Sequence, residues 1–259
     1  MLYVISFTPS IEQLVSLANY GGKNRLIAAR EVAHLSPDVD LEKLFWLIDI
    51  LSSDIESPEF SELGISLGKL IEKMDYQRAM EFIEKLLETQ HGRRLLTIIL
   101  STTKADIDSD VLSEVARRLL TDSDYEIRNG ALGILRNLFN AIGKLETIDI
   151  IYELTLSDNS DIRSFVVTAL LALSDLIDVK TVEDLILRLL DDQDPDVRKS
   201  VIEGFKVGLL DIVSKSKKMV WSIAQKIKSL DEPDLLGDFI LLLKDDPRFK
   251  GIISYLQGD

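Results

Sequence analysis

The sequence predicts an all-α fold in which helix pairs stack one on the next as a helical solenoid. Three observations carry this. Arg93, Arg128, Arg163 and Arg198 recur at intervals of 35 residues. Four residues before each stand Thr89, Asp124, Asn159 and Asp194, whose side-chain oxygens can accept from an orphan N–H in a first helical turn. After the last three arginines apolar residues return in steps of three and four, the spacing of a helix face and not of a strand. These are Ile127, Ala131, Ile134, Leu135 and Leu138, then Ile162, Val166, Ala169, Leu170 and Leu173, then Val197, Val201, Phe205 and Leu209. A pair of such helices cannot bury both apolar faces alone, so neighbours must stack.

In chain order, Thr8-Pro9 opens the first helix, with Ser10 and Gln13 as an alternative capping pair. Tyr20-Gly21-Gly22-Lys23 interrupts it, a second helix follows over 24–33 with Arg25 roughly in the arginine place, and Ser36-Pro37 stops that one. The next pair starts at Asp40 and at Ser57-Pro58, a cap followed by proline at the first helical position. A third pair covers 75–88 and 93–101, its turn carrying Gln90-His91-Gly92 where later turns are acidic. The polar stretch 102–109 reads as a loop and as a hinge point. First helices at 111–120, 148–156 and 182–190 precede the three regular turns, where Glu126, Asp161 and Asp196 favour the positive end of the helix dipole. The last pair begins near Lys215, breaks at Asp231-Glu232-Pro233-Asp234, resumes over 235–243 and leaves a short amphipathic tail.

The turn Asp194-Pro195-Asp196-Val197-Arg198 and its copies Asp124-Tyr125-Glu126-Ile127-Arg128 and Asn159-Ser160-Asp161-Ile162-Arg163 resemble the intra-unit turn of HEAT repeats, over about residues 106–212. The resemblance implies a right-handed αα-superhelix of about seven HEAT-like helix pairs. It also implies a structural ladder of Arg93, Arg128, Arg163 and Arg198 with turn acids. The acid six residues before each arginine is present only at Asp122 and Asp192, Ser157 and Leu87 filling the other places, which predicts a broken ladder. Leu132, Val167 and Ile202 stand where many HEAT units carry alanine, and imply wider helix spacing or an altered twist. The domain reading is one solenoid over 1–259, with divergent repeats over 1–104, regular ones over 105–212 and a capping repeat over 213–259.

With 44 acids against 30 bases the formal charge is −14, which opposes nonspecific attachment to phosphate backbones or anionic lipid and favours basic partners. There is no cysteine, so disulfides and thiolate metal sites are excluded. His34 and His91 lie far apart in different units. The opening Met1–Phe7 is apolar but short and lacks a basic leader, and no apolar run approaches a bilayer's thickness. A soluble cytoplasmic protein without membrane partners is the expectation.

For binding, polar positions beside the core face of the second helices are the candidates: Asn129, Arg136, Ser164, Lys199 and Lys206. A lysine-rich segment, Lys215, Lys217, Lys218, Lys226 and Lys228 around Trp221, offers an alternative nucleic-acid interface. The arginine row reads better as bridges between units than as anion receptors, because acids stand beside each arginine. Leu132, Val167 and Ile202 read as core or, on an inner curve, as an apolar stripe for a partner helix. The acidic turns Asp191–Asp194 and Asp106–Asp110 lack the glycine and glutamate of calcium loops and read as helix caps. No cysteine nucleophile, histidine cluster or glycine-flanked serine elbow marks catalysis. Bilin lyases and alkylpurine DNA glycosylases are enzymes on HEAT-like scaffolds, but the latter need a basic, aromatic-rich cleft that two tryptophans and a pI near 4.7 do not supply. The sequence therefore points to a noncatalytic scaffold holding a protein or peptide on its concave face, with no cofactor and no metal.

Overall fold

The computed structural model describes residues 8–104, 107–137 and 139–258. Among them every regular element is helical and no helix is long and apolar enough to cross a membrane. The chain divides into two compact units, 1–138 and 139–259, a division that falls inside the stretch read as regular repeats. The opening apolar stretch Met1–Phe7, Asp106 and Leu138 lie outside the described residues.

The first unit holds α1 (Ile11–Asn19), α2 (Lys23–Glu31), α3 (Leu41–Leu51), α4 (Pro58–Ile71), α5 (Tyr76–Leu87), α6 (Gln90–Thr102), α7 (Ser109–Leu120) and α8 (Tyr125–Asn137). Successive helices pair, and the second members α2, α4, α6 and α8 pack side by side in a row. Local chemistry sets the starts. Ser10 and Gln13 form a reciprocal capping box, Asp40, Ser57, Asp75 and Thr89 each accept an amide of the following turn, and Asp124 accepts from Glu126 N. Second helices then bury one face each: Leu63, Leu67 and Leu70 on α4, Leu95, Leu96 and Ile99 on α6, Ile127, Ala131, Ile134 and Leu135 on α8.

The second unit holds α9 (Phe139–Ile142), α10 (Lys144–Leu154), α11 (Ser160–Leu173), α12 (Val179–Leu190), α13 (Pro195–Gly204), α14 (Leu210–Val213), α15 (Lys217–Ser229), α16 (Pro233–Leu243) and α17 (Lys250–Gln257). Here α11, α13 and α16 form the row of second helices, and α12, α15 and α17 pack in sequence on the other side. The face expected as one α-helix through Leu209 is buried throughout, but the helix changes character along it. After α13 the chain makes a π-helical turn over Phe205–Leu209, with Gly208 at φ 133°, before α14 resumes. Only glycine adopts that φ without a steric cost, so Gly208 is what lets Phe205 and Leu209 both face inward. Leu156, expected in the first helix of its pair, lies beyond the end of α10 and is exposed.

Leu132, Val167 and Ile202 are buried, yet glycines bring the second helices close. A Cβ on Gly64 of α4 would lie 2.7 Å from Ile98 Cγ2, one on Gly130 of α8 2.7 Å from Thr97, and one on Gly204 of α13 2.3 Å from Val167 Cγ1. The bulk of one residue fits because its neighbour across the interface has none. Gly92 meets a harder limit, since its Cβ would sit 2.2 Å from the backbone oxygen of Leu86.

Candidate functional site

The recurring arginines are structural, and Arg93, Arg163 and Arg198 work in two directions. Inward, the guanidinium donates to the backbone carbonyl six residues before it: Arg93 Nη1 to Leu87 O at 3.3 Å, Arg128 to Asp122 O at 2.7 Å, Arg163 to Ser157 O at 2.8 Å and Arg198 to Asp192 O at 2.6 Å. A carbonyl accepts whatever the side chain, so this inward bond does not depend on an acid at that place. The acids serve the preceding repeat. Asp122 accepts from Arg93 Nε at 2.5 Å, and Asp192 takes Arg163 through two bonds of 2.7 and 3.0 Å. Arg198 reaches Glu232 at 2.5 Å. Arg93, Arg163 and Arg198 thus make forked bridges, and an acid of the next turn is found opposite each of these three. Arg25 in the first pair reaches forward to the next pair, donating to Ile50 O and Ser53 Oγ.

The same acids close the turns. Asp122 and Asp192 accept the amides of Asp124 and Asp194, while Asp124, Asn159 and Asp194 cap α8, α11 and α13. Burial raises the carboxyl pKa of Asp192, but bonds from Arg163 and from the Asp194 amide outweigh it, and the result lies below the ordinary carboxylate value. Asp124 is lowered in the same way by Arg94 and Gln90, against its burial. Arg94, which the periodicity did not single out, donates to Asp124 at 2.6 Å.

The candidate binding positions separate into two groups. Asn129, Arg136 and Lys199 are exposed on second helices, and Ser164 is half-buried on α11. Lys206 is exposed but held between Glu203 at 2.9 Å and Asp238 at 3.0 Å. The lysine segment loses much of its free charge: Lys226 pairs with Asp191, and Lys228 donates to the Tyr255 carbonyl and lies 4.2 Å over that ring. Trp221 is half-buried, its ring 5.0 Å from Tyr255. Lys217 and Lys218 remain exposed in the first turn of α15.

A cleft of about 700 Å³ that the repeat pattern did not indicate opens between α2 and α4 on the first unit. Arg30, His34, Lys69 and Lys73 line it with Glu31, Glu62 and Glu72. Arg30 Nε stands 3.5 Å from Glu62, Ser66 Oγ donates to Arg30 O at 3.3 Å, and Lys73 donates to Ala33 O at 2.5 Å. Lys69 points to solvent. The cleft is an alternating set of charges on a rigid helical base, and among the described residues no group of acids, histidines or cysteines could hold a metal ion. On the second unit's row the exposed side chains include apolar ones, Val207 at 73 % and Leu241 at 57 %.

No protein-family model matches the chain, and no curated protein does. A solved structure described as an engineered protein is similar over 91% of this chain and 95% of its own, at 17% identity and a TM-score of 0.35.

Proposed function

We propose that the helix pairs are HEAT-like repeats, stacked as αα-solenoid within each unit, and that the protein is a noncatalytic scaffold holding a protein or peptide against its second helices. The row itself supports this most. Consecutive second helices approach closely enough for Gly64, Gly130 and Gly204 to face neighbouring side chains, so each unit presents an uninterrupted helical surface. That surface carries both signs of charge and opens into a cleft of a size that receives ligand groups. Architecture alone does not assign a partner, so the test must read the surface.

A photo-crosslinking residue placed at Ser61, Asn129 or Lys199 on the second helices should capture one discrete partner from native lysate, competed by unlabelled protein. The same residue at Glu114 or Lys180 on first helices should capture none. Adducts confined to the first helices, or absent everywhere, would overturn the proposal. Nucleic acid on the Lys215–Lys228 segment has less behind it, because Lys226 and Lys228 already have partners. We expect no retardation of duplex DNA at low salt, and none to be lost in a Lys217→Glu, Lys218→Glu variant.

A further inference from the structure

We propose that the basic end of the last three helices binds a short acidic segment of a protein partner. The turns after α15 and α16, residues 230–232 and 244–249, are short, so each helix runs back along the one before it and α17 returns beside α15. The start of α15, the end of α16 and the start of α17 therefore share one end. That end carries Lys215, Lys217, Lys218, Lys244 and Lys250, all of them exposed.

None of the five forms an ion pair or a side-chain hydrogen bond with any described residue. Elsewhere Lys43, Lys85, Lys144, Lys206 and Lys226 each meet a carboxylate. The acids at this end are Asp211, Asp245 and Asp246, and Arg248 already holds Asp246 at 2.5 Å. Lys217 and Lys218 in the first turn of α15, and Lys250 in that of α17, also stand where a helix dipole opposes a cation, and neither turn carries an acid. Cations grouped against local electrostatics, and left unneutralised by a chain with 44 acids, are complementary to an anion from outside.

The surroundings choose among anions. With these five lysines set aside, the rest of the chain is more acidic than its total of −14. Duplex nucleic acid carries a charge about every 1.7 Å and would run past the patch onto that acidic surface. A peptide segment can end where the patch ends, since about four extended residues cover the roughly 10 Å between packed helix axes. Carboxylates along such a segment can each meet an ammonium, a point charge on a flexible stem that demands no fixed plane.

The test is an amide-shift NMR titration of the full chain with blocked hexaglutamate, against blocked hexaglutamine and a short DNA duplex. Saturable shifts at Ser216, Lys218, Lys244 and Gly251 with hexaglutamate, absent with hexaglutamine, are expected. Lys217→Gln together with Lys218→Gln should weaken binding about fivefold and Lys244→Gln alone about twofold. Lys23→Gln and Lys180→Gln, at lysines equally exposed and unpaired, should leave it unchanged. Shifts scattered over exposed lysines of both units, or indifference to Lys244→Gln, would overturn the proposal. Tighter binding of the duplex than of hexaglutamate would overturn it in favour of nucleic acid. Self-association in sedimentation that the lysine variants abolish would overturn it in favour of a second copy. These amides report a surface apart from Ser61, Asn129 and Lys199, so this result and the crosslinking result stand or fall separately.

Discussion

Arg163 joins its own turn to the next one, and it shows what such a bridge is worth. Its side chain and that of Asp192 are each about nine-tenths buried, at 10 and 11% exposure. Removing one partner of such a pair strands the other, and costs of about 3–5 kcal/mol are typical. Arg163 keeps its carbonyl acceptors at Ser157 and Asp158, so Asp192→Ala should destabilise by about 3 kcal/mol, at the low end of that range. A urea midpoint shift without a change in slope would verify it. The pH dependence follows from the same carboxylates. Asp192 and Asp124 titrate below their ordinary value of 3.8 in the folded chain, and Asp178 is brought to about 2, first by the Thr181 amide and hydroxyl and then by Lys144. A depressed folded pKa adds stability above the unfolded value, lost as pH falls through the folded one. The midpoint should therefore drop between pH 3.8 and about 2, and Asp192→Asn should flatten that drop. The arginines, their caps and their spacing were legible in the sequence. The direction of the acids was not, because the inward acceptor is a main-chain atom that leaves no mark on residue identity.

Among the helices, starts and buried faces were legible because caps and apolar spacing are side-chain properties. What was missed sits at glycines, which are silent in an apolar pattern. Gly204 faces Val167 and Gly208 turns the backbone, while Gly133 of α8 has open space around its Cβ position. Gly204 and Gly133 predict different outcomes for the same substitution type. Gly204→Ala should cost about 1–3 kcal/mol through overpacking, and Val167→Ala in the same chain should recover part of it. Gly133→Ala should stabilise by about 1 kcal/mol, since alanine is the better helix former and meets nothing. Thermal unfolding of the single and double variants reads both. If the Gly133→Ala chain also loses partner capture at Asn129, the open space there belongs to the partner.

At the scale of the whole chain, charge and modularity act together. A formal charge of −14 repels itself, so raising salt from about 10 to about 150 mM should raise the melting temperature, the surface repulsion being screened more than the buried bridges. Two compact units also predict where damage spreads. In Asp192→Ala, hydrogen exchange should quicken in α11 to α13 and leave α2 to α4 as they were. The cleft between α2 and α4 could not be read ahead of the structure, because Arg30 and Glu62 follow no 35-residue register and converge only through helix packing.

The inward half of each arginine fork has a consequence for inheritance. Its acceptor belongs to the polypeptide itself and is common to every amino acid, so positions 87, 122, 157 and 192 can drift through Leu, Asp, Ser and Asp while the guanidinium keeps its seat. Copies of such a module can diverge until their letters no longer match and still close the same corner.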